Sequence, residues 1–249
     1  MSILCLDIGN TTAHLGLLKD GVPARERRQP TEDLPRNLPS ILEDYPDASR
    51  FAYCSVVPSI NLAIAEAVEA ANLELFNLNA DTCPIAIDYP NKTEIGQDRL
   101  ANAIAAAAHG KMPAIVIDMG TATTFDIVTE ENGYEGGVIA AGLSLMREYL
   151  HEKTALLPQV SYREIPYPNT AIGKSTREAM EIGGVIGYEG MVKEIIAAIS
   201  RNLYKRHLEK PGIILTGGKA PFLEEILGDD CHYIPQLTLH GLEIACRKS

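Results

Sequence analysis

The chain has 249 residues, 46% of them apolar and 22% charged, with a formal net charge of −11. This is a globular composition, which excludes wholesale disorder and collagen-like repetition, and its acidic balance argues against a general nucleic-acid or membrane binder. At this length roughly 70–75% of the unfolded surface can be buried, so a core needs neither metal nor disulfides, and either one domain or two of roughly 100–125 residues is allowed.

The first strand runs through Ile3-Leu4-Cys5-Leu6 and ends in Asp7-Ile8-Gly9-Asn10-Thr11-Thr12. Ala13 to Leu18 reads as a second strand, closed by the turn Lys19-Asp20-Gly21. A polar, proline-containing stretch from Gln29 to Pro46 holds a short helix near Leu38 to Leu42, and Arg50 to Val57 is a strand. Between Ser59 and Ala71, the spacing of Ile60, Ile64, Ala67, Val68 and Ala71 predicts an amphipathic helix. Leu73 to Leu78 is a further strand, and Asn79 to Ile95, with Pro84 and Pro90, an ordered loop. Gln97 to His109 is an alanine-rich helix with Gly110 as its stop.

The opening pattern then returns. Ala114-Ile115-Val116-Ile117 leads into Asp118-Met119-Gly120-Thr121-Ala122-Thr123, a strand from Thr124 to Val128, and an Asn132-Gly133 turn. Strand, Asp-x-Gly turn, strand, x-Gly turn thus occurs near the start of each half, which predicts an internal duplication. Helices over Thr176 to Gly183 and Val185 to Arg206 follow, then a strand Gly212 to Leu215 ending in Thr216-Gly217-Gly218. Helices near Pro221 to Leu227 and over Thr238 to Ala245 complete the chain. The expected domains are 1–110 and 111–249, with the last helix possible as a packing element on the first half.

No apolar run approaches the ~20 residues of a membrane helix, and the opening segment carries Asp7 and no basic leader, so a cytoplasmic protein without a membrane partner is expected. Five cysteines without a Cys-x-x-Cys pair predict reduced thiols, and six histidines without helical ligand spacing do not suggest zinc.

The two turns carry the chemistry. A glycine at a strand's fold-back lets the backbone approach a ligand, and successive N–H groups there form an anion nest. The hydroxyls of Thr11 and Thr12 add neutral donors, while a carboxylate such as Asp7 can hold hydrated Mg²⁺ beside substrate phosphates. This suits the phosphate tail of a Mg-nucleotide. At Gly96-Gln97-Asp98-Arg99, an acid at a helix N-terminus stays ionised and its arginine neighbour can grip a carboxylate in bidentate fashion. Gly173-Lys174-Ser175-Thr176 resembles the end of a phosphate-binding loop, but the glycine required five residues earlier is Pro168.

The duplicated turns and Thr216-Gly217-Gly218 resemble the actin-like ATPase and sugar-kinase superfamily. That likeness implies duplicated ribonuclease H-like α/β domains with a nucleotide cleft between them. Asp-x-Gly-Asn-Thr, Tyr89-Pro90, Gly-x-Asp-Arg, Asp-x-Gly-Thr-Ala-x-Thr, Gly136-Gly137-Val138-Ile139, Gly-Lys-Ser-Thr and Thr-Gly-Gly, in that order, resemble the type III pantothenate kinases from residue 3 to about residue 245. The resemblance implies ATP-dependent phosphorylation of pantothenate to 4'-phosphopantothenate, the first step of coenzyme A synthesis. It implies ATP contacts at Asp7, Ile8, Gly9, Asn10, Thr11, Thr12 and Thr121, with Mg²⁺ near Asp7 through water. Asp98 would be the general base, and Tyr89, Gly96, Gln97, Asp98, Arg99 and Thr176 would line the pantothenate site. Asp118 would hold a monovalent cation, K⁺ or NH₄⁺. A homodimer whose substrate site uses both subunits is implied, with Thr176 a candidate to act in trans. Ala141 stands where the family commonly carries proline. The alternatives are a sugar or N-acetylhexosamine kinase of the same superfamily and a non-catalytic regulator on the same fold.

Overall fold

Each apolar run that precedes an Asp-x-Gly turn becomes the middle strand of a five-stranded sheet. The computed structural model describes residues 1–109, 111–160, 167–206 and 208–249; the expected helix stop at Gly110 lies outside the described residues. Around β1 (Ile3–Ile8) stand β2 (Thr12–Lys19) and β3 (Val22–Pro30) on one side, β4 (Arg50–Ser55) and β5 (Glu74–Asn77) on the other. Around β6 (Ala114–Met119) stand β7 (Ala122–Thr129) and β8 (Gly133–Ala141) on one side, β9 (Gly212–Thr216) and β10 (Cys231–Tyr233) on the other. The orders β3-β2-β1-β4-β5 and β8-β7-β6-β9-β10 are one pattern written twice.

The helices keep the same schedule. In the first half α1 (Leu34–Glu43), α2 (Asn61–Ala70) and α3 (Gln97–Ala108) follow the third, fourth and fifth strands. In the second half α4 (Leu143–Glu152) and α5 (Thr176–Lys205), then α6 (Ala220–Leu227) and α7 (Leu237–Lys248), take those places. The chain therefore has the duplicated α/β architecture that the paired turns predict.

β1 runs antiparallel to β2 and parallel to β4, and its nearly unbroken burial requires cover on both faces. Leu4, Leu6 and Ile8 share a core with Leu34 and Leu38 of α1 and Ile64 and Val68 of α2. α7 packs on β1, β2, β4 and α3. Two glycines permit this approach. A Cβ at Gly16 would stand 2.8 Å from Leu239 Cδ1, and one at Gly241 would stand 1.8 Å from the carbonyl oxygen of Ala101.

The chain divides into two compact units. One comprises Met1–Lys111, Asp126–Gly136 and Gln236–Ser249; the other comprises Met112–Phe125 and Gly137–Pro235. The first unit is thus assembled from three separate stretches of chain, α7 among them.

Several elements depart from the periodicity reading. β3 is a mostly exposed strand rich in charge (Arg25, Glu26, Arg27, Arg28), so it lacks the apolar alternation by which strands are recognised. Gly136 to Ala141 belong to β8, and these residues, like α4 and β10, lie where no element is predicted. The two helices expected across Gly183-Gly184 form the single helix α5, held by buried Met180, Val185, Tyr188, Val192 and Leu203. Gly184 serves close approach there: a Cβ would stand 2.8 Å from Arg147 Nε.

Candidate functional site

The first turn is a tight hairpin. The Gly9 N–H donates to the Thr12 carbonyl at 3.2 Å, while Asp7 ends β1. The residue just after β3 secures the hairpin: the Thr31 N–H donates to the Thr11 carbonyl at 3.1 Å, and the Thr31 hydroxyl to the Gly9 carbonyl at 2.7 Å. Asn10, Thr11 and Thr12 open onto a cavity of ≈ 530 Å³ that Arg28, Gln29 and Glu32 also line. Arg28 was missed from sequence because the strand that carries it was missed. Asp7 accepts a hydrogen bond from the Cys54 thiol at 3.4 Å, and burial with the adjacent carboxylate pushes that thiol's pKa well up. Cys54 is therefore a neutral donor to Asp7.

The second turn is built similarly within the other unit. The Gly120 N–H donates to the Ala122 carbonyl at 3.1 Å, and the Gly142 N–H to the Thr121 carbonyl at 3.1 Å. Thr216-Gly217-Gly218 presses against the carboxylate of Asp118. Gly217 has φ +90°, and a Cβ there would stand 2.6 Å from Asp118 Oδ1. Asp118 is thus half-buried beneath the turn that follows β9.

At the start of α3, Gly96 is the N-cap and the Arg99 N–H donates to Asp98 Oδ1 at 2.9 Å. A side chain at position 96 would displace the acid, because a Cβ there would fall 2.5 Å from Asp98 Oδ1. Burial raises the Asp98 pKa, opposed by the Arg99 N–H and guanidinium. Gln97 anchors the helix: its amide oxygen accepts from the Ser55 N–H at 2.8 Å and from Asn77 Nδ2 at 3.3 Å.

Arg99 leads to residues that the sequence reading did not single out. Its Nε donates to Asp126 Oδ1 at 2.7 Å, and the Tyr134 hydroxyl donates to the same oxygen at 3.2 Å. Asp126 is 0% exposed. Burial pushes its pKa up to about 7, with the Arg99 charge acting the other way. The guanidinium carbon lies 5.8 Å from the centre of the Tyr134 ring. Arg99 Nη2 is buried and has no hydrogen-bond partner among the described residues.

Tyr134 also fixes the loop that carries Tyr89. Its N–H donates to the Ala86 carbonyl, and its carbonyl accepts from the Asp88 N–H, each at 2.9 Å. The Tyr89 and Tyr134 ring centres are 6.3 Å apart. Tyr89 rests over Gly136, where a Cβ would stand 3.0 Å from its ring. Tyr89, Asp98 and Arg99 are therefore gathered in one compact unit, as are Asp7 to Thr12, whereas Asp118, Thr121 and Thr176 belong to the other.

Thr176 begins α5 and is exposed. The preceding Gly-Lys-Ser is a helix cap: Ser175 Oγ accepts from the Glu178 N–H at 3.1 Å, and a Glu178 carboxylate oxygen from the Lys174 N–H at 2.6 Å. It is not a phosphate loop. Among the described residues no three His, Cys, Asp or Glu side chains converge as a metal site, so a cation here would rest on single carboxylates together with substrate oxygens.

A family profile described as type III pantothenate kinase matches residues 3–198. A type III pantothenate kinase of Methylacidiphilum infernorum is 39% identical over 245 residues, 97% of this chain and 87% of its own length. One of Akkermansia muciniphila is 42% identical over 196 residues, 77% and 76% of the two chains. Among solved structures, a Baf family transcriptional activator from Campylobacter jejuni aligns over 98% of both chains with a TM-score of 0.67 at 18% identity. A ROK hexokinase from Thermus thermophilus aligns over 98% of both with a TM-score of 0.54 at 15% identity. At such identities these structures speak for the fold alone.

Proposed function

The chain belongs to the type III pantothenate kinase family and phosphorylates pantothenate with ATP, giving 4'-phosphopantothenate in the first step of coenzyme A synthesis; from that premise we propose which residues do the work. Asp98 accepts the proton of the pantothenate hydroxyl as that oxygen bonds to the γ-phosphorus and ADP departs. Arg99 holds the pantothenate carboxylate, and Tyr89 packs against the substrate. The observation that carries this assignment is the buried Nη2 of Arg99, a charged donor without a partner among the described residues, on the residue whose backbone N–H binds the Asp98 carboxylate. A buried cation edge of this kind fits a bidentate carboxylate.

The phosphates of ATP fall to Asp7, Ile8, Gly9, Asn10, Thr11 and Thr12, with Thr121 a further contact. The hydroxyls of Thr11 and Thr12 and the amide of Asn10 on the first hairpin supply donors without adding charge. Asp7 suits Mg²⁺ held through water, and Asp118, half-buried beside backbone turns, suits K⁺ or NH₄⁺. Mg²⁺ bound with ATP would neutralise charge on the transferred phosphoryl group. We assign Gly96 and Gln97 to shaping the substrate site, the first by clearing space for Asp98 and the second by anchoring α3. Thr176 completes that site from the second subunit of a homodimer. A cytoplasmic location fits these substrates and the absence of disulfides among the described cysteines.

One assay tests the reading: ADP release from MgATP with pantothenate, against a panel of sugars, with and without K⁺ or NH₄⁺. Pantothenate-dependent release that rises with the monovalent cation is expected. A sugar preference, or no release at all, would overturn it.

A further inference from the structure

We infer that Asp126 is the positioning residue of the substrate arginine: it holds Arg99 by Nε so that the terminal guanidinium edge is turned to the pantothenate carboxylate and kept off Asp98. The inference rests on the reading of Arg99 given above and adds to it the residue that aims the guanidinium.

Three observations carry it. First, Asp126 is fully buried, and a buried carboxylate is tolerated only when charge and hydrogen bonds meet it. Both of its hydrogen bonds given above, from Arg99 Nε and the Tyr134 hydroxyl, converge on Oδ1. Second, the ion pair is one-sided. A guanidinium engaged at Nε is fixed in plane, and its Nη2, though buried, has no partner among the described residues. An ion pair serving the fold alone would meet that nitrogen as well. Third, Asp98 is the neighbouring residue and a half-buried acid. Without a competing anion, Arg99 is free to fold onto it, which would cap the base and withdraw the substrate's ligand together.

Tyr134 joins this arrangement to the rest of the substrate site. Its hydroxyl orients Asp126, its ring lies beneath the guanidinium, and its backbone grips Ala86 and Asp88 next to Tyr89. Asp126 lies at the fifth position after Thr121 along β7, on a strand whose start carries the second Asp-x-Gly turn.

The experiment is steady-state kinetics on purified Asp126→Asn, Tyr134→Phe and Arg99→Gln, with pantothenate and with its alcohol analogue, in which a hydroxymethyl group replaces the carboxylate. Asp126→Asn is expected to raise the KM for pantothenate by about tenfold or more, the scale of one charge-assisted hydrogen bond, with the KM for ATP within about twofold. With the alcohol analogue, Asp126→Asn and the parent should have equal KM values. Tyr134→Phe should shift the pantothenate KM the same way by a smaller factor. Equal effects on pantothenate and its alcohol, or on pantothenate and ATP, would overturn the inference. If Asp126→Asn does not fold, Tyr134→Phe decides, and an unchanged pantothenate KM there overturns it. If Arg99→Gln itself leaves the pantothenate KM unchanged, the reading of Arg99 fails instead. A rise for Arg99→Gln without one for Asp126→Asn rejects only the role of Asp126.

Discussion

As the proposed base, Asp98 must be ionised to accept a proton, yet burial favours its neutral form. A folded-state pKa above the ordinary 3.8 means that this carboxyl favours folding only at pH values below the unfolded pKa, and that the contribution is lost as pH rises through the folded pKa. At neutral pH the acid therefore costs stability in exchange for chemistry. Asp98→Asn keeps an oxygen for the Arg99 N–H and removes the half-buried charge. It should lose about 10²–10⁴ in kcat while raising Tm near neutral pH, with the gain in Tm shrinking as the pH is lowered toward the carboxylate range. Paired kinetics and thermal unfolding check this. Near-normal turnover would remove Asp98 as the base, and a lower Tm at neutral pH would contradict the cost of its burial.

At the scale of elements, the loop that carries Tyr89, proposed to contact substrate, depends on the turn into β8. Gly133 adopts φ +67°, and a Cβ there would lie 2.1 Å from the Ala86 carbonyl oxygen. The Asn132-Gly133 pair is a recognisable turn signal, but its second duty, receiving a loop from far upstream, is a tertiary contact. Gly133→Ala adds left-handed strain and drives the loop off Tyr134, taking Tyr89 with it. The variant should be about 1–3 kcal/mol less stable by denaturant titration. Its pantothenate KM should rise while its KM for ATP changes little, because the first hairpin is tied to β3 through Thr31 instead. A rise in both constants would show that the loop is not an independent lever.

Over the whole molecule, two copies of one strand order are laid down in succession, yet the compact units do not follow the chain in sequence. α7 holds the last position of the second copy and packs on α3 and β1 of the first. Gly241 makes the contact possible, since a Cβ there would overlap the Ala101 carbonyl at 1.8 Å. Gly241→Leu should therefore overpack this seam, costing about 1–3 kcal/mol or more and lowering Tm. An unchanged Tm would mean that α7 docks loosely. The acidic net charge of −11 is no obstacle to anionic substrates at this scale. In the proposed reading their charge is met locally, by hairpin hydroxyls and by placed cations such as Arg99.

The duplication, the two Asp-x-Gly turns and the Gly-x-Asp-Arg cap were legible in the sequence, because each rests on local chemistry: an apolar run, a glycine where backbone must come close, an acid at a helix start. Those features led to the α/β class, to the family and to Asp98 and Arg99 as candidates. Charged β3 was not legible, since an exposed edge strand has no apolar period, and Arg28 was lost with it. Nor were Asp126 and Tyr134, an acid and an aromatic on strands whose importance lies in what they touch. Asp126 is 27 residues from Arg99 along the chain and 2.7 Å from it in space. The sequence by itself determined the repeated elements and the candidate reacting groups to propose, because these follow from neighbouring residues. Only the tertiary structure decided which buried anion aims the arginine and where the last helix packs, because burial and long-range pairing come into being only when the chain has closed upon itself.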